Sequence, residues 1–333
     1  MQTQFRRLAA IALLVISGCK NSTNSSNTPE FAFVTNGVAS FWDIAKVGAE
    51  KAGQDLGVNV SVLMPTNGVV DQKQIIEDLL LRGVQGMAVS PVDPQNQIEN
   101  LNKAAAATHL ITADADAPGC KRLCYIGMDN YTAGRMCGKL VKEAVPQGGK
   151  VAIFVGRIEQ DNAKLRRQGL IDELLDRSAD ATRFDVPDAV LTNEKYNIVG
   201  TFTDQFDHAK AKALVEDVLV SDPDIACMAG LFVYNPPIIL EALSRSNKLN
   251  QVKVAAFDEA EETLNAIAAG TCHGTIVQNP FEYGYQSIKL LKQIAAGDKS
   301  SIPQSGFIDI PAQQIRQDNV AAFQQEMQAK LGK

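Results

Sequence analysis

Short apolar runs alternate with amphipathic stretches from residue 31 almost to the end of the chain, and this rhythm limits the fold more than any other feature. Phe31–Thr35, Val58–Leu63, Gly86–Ser90 and Leu110–Ala113 read as strands in the first half. Lys150–Val155, a weaker Asp180–Val190 stretch, Asp224–Ala229, Val252–Phe257 and Gly274–Val277 repeat the pattern in the second half. Between them, apolar residues recur at helical spacing. Ala45, Gly48, Ala49, Ala52 and Leu56 follow the first run, further helices begin near Asp71 and Gln95, and Phe281–Ala296 sets Tyr285, Ile288, Leu291 and Ala295 on one face. Strands that are apolar throughout are buried on both faces, as in parallel sheets covered by helices. Roughly ten such strands exceed what one compact open sheet usually holds, so two doubly wound α/β lobes are expected. A length of 333 residues agrees, because domains typically run to about 100–200 residues.

The N-terminus carries an address. Arg6 and Arg7 precede the apolar run Leu8–Ile16, which is followed by Ser17, Gly18 and Cys19. A basic segment before a short apolar one reads as a secretory signal, too short to span a bilayer as a mature helix. Ile16-Ser17-Gly18-Cys19 resembles the bacterial lipobox, which implies removal of residues 1–18 and acylation of Cys19. Each buried methylene of an acyl chain adds about 0.8 kcal/mol, so several chains together anchor a protein stably. Residues 19–30, rich in Asn, Ser and Thr, read as a flexible tether. The twin arginine lacks the rest of a Tat pattern, so Sec export is favoured. The expected location is the bacterial cell envelope, lipid-anchored and facing the periplasm or exterior.

Charge and motifs exclude several functions. A net charge of −6 disfavours a nucleic-acid partner, since phosphate neutralisation requires surplus Lys and Arg. Neither a nucleophile elbow nor a P-loop is present, His109, His208 and His273 stand far apart, and no metal-ligand spacing occurs. Asp114 and Asp258 could mimic a glycosidase acid/base pair, but carbohydrate binders use carboxylates in the same way. A non-enzymatic binding protein without metal or cofactor is expected.

Ligands of doubly wound sheets sit at the C-terminal ends of strands. The segments there are Asn36–Trp42, Asn67, Asp114–Asp116, Glu159–Asn162, Phe232–Asn235, Asp258-Glu259 and Gln278-Asn279. Amides and carboxylates pair with hydroxyl groups, and aromatic faces cover C–H patches, a mixture that suits a sugar or polyol. Individually, Asn, Asp and Ser at such places also serve as helix caps, and Phe41 and Trp42 as staple or core residues.

Three longer motifs are more specific. Asn36–Lys51 (NGVASFWDIAKVGAEK), Tyr125–Arg135 (YIGMDNYTAGR) and Gly274–Tyr285 (GTIVQNPFEYGY) resemble, in order and spacing, the ribose-binding, type I periplasmic binding proteins, solute receptors of ABC sugar importers. The resemblance runs from about Phe31 to Ile310. It implies two lobes joined by a three-strand hinge, with crossings near Met128-Asp129, Gln278-Asn279 and Gly306-Phe307. The lobes would comprise 31–128 with 279–306, and 129–278 with 307–333. It also implies that Phe41 and Trp42 sandwich a sugar ring, that Asp114 and Asp258 are the carboxylates of the two lobes, and that Gln278 is the hinge amide. Asn36 and Asn235 are further polar contacts. Ribose binders carry Arg after the first-lobe carboxylate, where this chain has Ala115, and Arg on the helix where it has Lys164. Those losses of planar donors point from ribose toward another monosaccharide, a sugar alcohol or a related solute. The implied partners are that solute and an ABC permease, with the protein a monomer held at the membrane by its lipid. A membrane-anchored sugar sensor for a signalling partner is the alternative. Of the remaining cysteines, Cys120 and Cys124 are a candidate disulfide, Cys137 reads as a buried hydrophobe, and a Cys227–Cys272 pairing stays open.

Overall fold

Two predominantly parallel sheets, each with apolar side chains on both faces, are joined by three crossings of the chain. The structure is a computed structural model describing residues 28–187 and 189–330. The expected signal segment, Cys19 and the tether through residue 27 lie outside the described residues. The first lobe is built from β1 (Glu30–Val34), α1 (Ser40–Leu56), β2 (Asn59–Leu63), α2 (Gly68–Arg82), β3 (Gly86–Val89), α3 (Ile98–Ala107), β4 (His109–Ala113) and β5 (Tyr125–Gly127). The chain then crosses into α4 (Asn130–Ala144), β6 (Gly149–Val155), α5 (Asp161–Leu174), β7 (Leu191–Thr192) and β8 (Tyr196–Thr203). The second lobe continues through α6 (His208–Ser221), β9 (Ile225–Gly230), α7 (Asn235–Arg245), β10 (Lys253–Phe257), α8 (Glu261–Ala268) and β11 (Gly274–Val277). A return to the first lobe supplies α9 (Pro280–Ala295) and β12 (Phe307–Asp309), and a last crossing leads to β13 (Gln313–Ile315) and α10 (Val320–Lys330).

The strand orders are β2-β1-β3-β4-β5-β12 and β7-β8-β6-β9-β10-β11-β13. Every pairing in the first sheet is parallel, whereas the edge strands β7 and β13 of the second run antiparallel to their neighbours. Alternate residues of β1 explain the two-sided burial. Phe31 and Phe33 pack in one apolar cluster and Ala32 and Val34 in another, as successive side chains on a strand must. Helix ends follow local chemistry. Gly57 and Gly83 close α1 and α2 in the left-handed conformation, which glycine adopts without steric cost. Asp129 and Asn279 cap α4 and α9 just past two of the crossings, accepting from the amides of Thr132 and Glu282.

The structure departs from the sequence reading in three places. The described residues of 180–190 are irregular, and the strand lies further on, at β8. Tyr196–Thr203 carries the aromatic and β-branched residues a strand favours, whereas the earlier stretch is broken by Pro187 and several Asp. Phe307–Asp309 pairs with β5, and Phe307 stacks on Tyr125 at 5.2 Å. These residues therefore belong to the first lobe, and the third crossing follows Asp309 rather than Gly306. The amide of Ile310 donates to the Gly127 carbonyl (2.7 Å) and that of Asp129 to the Asp309 carboxylate (3.0 Å), tying two crossings together. Cys120 and Cys124 are free thiols packed on opposite faces of the first sheet, in separate clusters. Cys227 and Cys272, whose pairing the sequence leaves open, are free thiols in separate clusters. Burial pushes the Cys227 and Cys272 thiols up to about 12, so both stay protonated. Among the described residues no helix is long and apolar enough to cross a membrane.

Candidate functional site

A cavity of about 860 Å³ lies between the lobes and is lined by residues that follow β1, β3, β4, β6, β8, β9, β10 and β11. These are C-terminal strand ends, where doubly wound sheets leave backbone ends and helix N-termini facing a ligand; Tyr125 at the start of β5 and Ala181–Phe184 after α5 complete the lining.

Two carboxylates occupy equivalent positions in it. Asp114 follows β4 and Asp258 follows β10, and both have φ of 64°. Non-glycine residues enter the left-handed region at a cost, so surrounding structure has to hold them there. The amide of Asp114 donates to the Ile126 carbonyl (2.9 Å) and that of Asp258 to Ile276 (2.8 Å). Their carbonyls accept from the hydroxyls of Tyr125 and Thr275, each at 2.7 Å. The side chains differ more. Asp258 is buried, accepts from the Gln278 amide (2.9 Å) and lies 3.9 Å from the Arg166 guanidinium. Among the described residues, the Asp114 carboxylate accepts only from the Ser90 hydroxyl, at 3.1 Å. Desolvation raises both, and Asp114, with Asp258 nearby, reaches about 6 despite Arg166 and Ser90.

Arg166 is 2% exposed and held by three partners. Its Nε donates to Asn130 (2.9 Å), its Nη1 to the Leu231 carbonyl (3.1 Å), and its plane lies over Phe257 at 4.9 Å. Close packing of α4 on α5 sets this arrangement. Gly134 sits against the Arg166 backbone and Gly169 against that of Tyr131, so a Cβ at either would collide with main chain.

Aromatic surfaces complete the site. Phe41 meets Trp42 edge-on at 4.8 Å, and the Trp42 indole donates to the Asn36 side chain (3.1 Å). Trp42 is only 4% exposed and packs in the core, so Phe41 offers the more accessible ring. From the second lobe come Phe206 and Phe232, whose rings lie 5.6 Å apart. Gln205 and Phe206 are consecutive left-handed residues. Buried Asp204 stabilises that turn, accepting from the Phe206 amide (2.8 Å), the Tyr234 hydroxyl and the Asn235 side chain (3.0 Å).

Asn36, Phe41, Trp42, Asp114, Lys164, Asp258 and Gln278 all line the cavity. Asn235 does not. Its amide is consumed by Asp204 and by the Phe232 backbone amide (3.2 Å), so it holds the Phe232–Tyr234 turn in place. Lys164 stands at the rim beside Asp161 (3.6 Å), and the guanidinium at the carboxylates is Arg166, two residues on. Helical phase carries the signal that separates them: Arg166 shares the inward face with Ala163 and Leu170, and Lys164 does not. Tyr125, Asn130, Phe206 and Phe232 line the cavity too and lie outside the expected contacts, although Tyr125 and Asn130 fall within the second long motif and Phe232 within a strand-end segment. Among the described residues no cluster of three or more His, Cys, Asp or Glu side chains is disposed to hold a metal.

Residues 31–299 match the family model of the periplasmic binding protein domain. The ribose import binding protein RbsB of Haemophilus influenzae is 24% identical over 298 residues, covering 88% of this chain and 95% of that protein. The D-allose-binding periplasmic protein of Escherichia coli is 24% identical over 289 residues, with 82% and 87% covered. An ABC transporter solute binding protein from Burkholderia graminis, solved with D-arabinose, superposes with a TM-score of 0.78 at 25% identity, covering 88% of this chain and 97% of its own. These relatives are named as binding proteins, not enzymes. The fold, its cleft at paired strand ends and the family match over most of the chain place this protein among the type I periplasmic binding proteins of the sugar ABC transporter kind.

Proposed function

We propose that the protein captures a monosaccharide or a closely related polyol between its two lobes and delivers it to an ABC permease, while a lipid on Cys19 holds it at the envelope. The observation that carries this reading is the pair of carboxylates on equivalent strand ends of opposite lobes, facing one cavity beside accessible aromatic rings. Carboxylates accept from several sugar hydroxyls at once, and the Phe41 and Phe206 rings suit the C–H faces of the sugar. A solute that touches both Asp114 and Asp258 favours the closed arrangement of the lobes, and this difference shifts the population. Charge-assisted hydrogen bonds in such a site suit micromolar binding, about −8 kcal/mol.

Trp42 is the sole tryptophan and packs against cavity-lining Phe41 and Asn36, so its fluorescence reports on the site. Titration with pentoses, hexoses, polyols and nucleosides is expected to give a saturable change with a sugar or polyol. A response only to another class would refute the ligand assignment. Labelled palmitate is expected in the native protein and absent in Cys19→Ser; equal labelling of both would dismiss the anchor.

A further inference from the structure

Seven charged residues line the cavity: Asp114, Asp116, Asp161, Lys164, Arg166, Arg183 and Asp258. Six have an opposite charge within 4.0 Å. Asp116 pairs with Arg122, Asp161 with Lys164, Arg183 with Asp172, and Asp258 with Arg166. Of these seven, only Asp114 has no such partner among the described residues. The next residue, Ala115, brings just a methyl group. Arg166, the buried cation lining the cavity, directs Nε to Asn130 and Nη1 to Leu231 and lies beside Asp258, so it acts on Asp114 through space without an ion-pair contact. The Asp114 main chain is fixed, because its amide and carbonyl are both tied to β5, and the Ser90 hydroxyl holds its carboxylate at the cavity.

We infer that the solute supplies the missing charge: it is an amino-substituted monosaccharide whose ammonium group sits against Asp114. This rests on the monosaccharide reading above and narrows it. An ammonium–carboxylate hydrogen bond is about twice as strong as a neutral one, and the ring of Phe41 tolerates a nearby cation. A neutral sugar would leave Asp114 with hydroxyl donors alone.

The test is a Trp42 fluorescence titration of the full-length protein at pH 7 with aldopentoses, aldohexoses and their amino-deoxy derivatives, the amine placed at each ring position in turn. At least one amino sugar is expected to bind about tenfold or more tightly than its parent, and N-acetylation is expected to remove the gain. Asp114→Asn should bring the ratio of the two affinities close to one. In the native protein the preference should fade as pH falls through about 6, where Asp114 takes up a proton. The groups facing Asp114 in that experiment are Asp258, Glu259, Arg166, Tyr125 and Tyr283. Parent sugars binding as tightly as every amino derivative would overturn the inference and leave the monosaccharide reading standing. So would a preference that persists in Asp114→Asn or at low pH. Failure of every sugar, amino or neutral, would overturn both.

Discussion

The two lobes solve the same backbone problem identically and then part company in their side chains. Each presents an aspartate in the left-handed conformation after its fourth core strand, with the amide and carbonyl fixed by the next strand. Each buries its sheet under a helix pair that meets through glycine: α1 on α9 through Gly48 and Gly284, α4 on α5 through Gly134 and Gly169. The second lobe adds Arg166 and Gln278 around its carboxylate; the first adds one serine hydroxyl. A repeated scaffold therefore fixes where the carboxylates stand. The neighbours decide which of them is already compensated and which is left for the solute.

Removing that compensation should have the largest effect. Arg166→Met leaves Asp258 buried beside no cation, and breaking a buried pair in this way costs about 3–5 kcal/mol. Urea denaturation should show a loss of that size, together with loss of solute binding. Native stability would mean that Arg166 contributes nothing to the second lobe.

The helix pairs come next. Gly134→Ala and Gly284→Ala each force a methyl into the facing backbone, and overpacking of this kind typically costs about 1–3 kcal/mol. The two should melt alike, yet Gly134→Ala should weaken binding more, because Asn130 and Arg166 ride on the helices it separates. Equal affinities would show that the α4–α5 contact does not position the site. Asp204→Ala, measured by thermal melting and titration, frees the Phe206 turn and removes three hydrogen bonds. We expect a loss of about 1–3 kcal/mol in stability and a weaker solute affinity.

A smaller effect separates the two carboxylates by pH. The folded-state pKa of Asp114, about 6, exceeds the unfolded value of about 4. The native protein therefore holds a proton that the unfolded chain releases, and the ligand-free form loses stability as pH rises from about 4 through about 6. Asp258 and Glu259, also raised by burial, act in the same direction. Melting temperatures of wild type and Asp114→Asn across this range should converge at low pH and diverge at high pH, with the variant the more stable. Parallel curves would place Asp114 in a solvated setting. Smallest of all, a reducing agent should leave the melting temperature unchanged, since the described cysteines are free thiols.

Much of the architecture was legible because buried parallel strands announce themselves as continuous apolar runs. β8 was harder to find, since its residues are only partly covered and interrupted by Gly200. β5 is three residues long and hides within a motif that reads equally well as a turn. In the site, residue types at strand ends were readable, but the use made of each depended on tertiary partners. Asn235 looks like a ligand contact until Asp204 is seen to consume it. Lys164 and Arg166 differ only in helical phase, and Phe206 reaches the cavity through a backbone conformation that aromatic side chains rarely adopt.

The central claim is that one solute touches both lobes through Asp114 and Asp258. Calorimetric titration of the solute into wild type, Asp114→Asn and Asp258→Asn tests it directly. The prediction is one site per chain and an affinity at least about tenfold weaker in each variant, as the loss of a charge-assisted hydrogen bond implies. Wild-type affinity in either variant would contradict it, placing the solute on a single lobe.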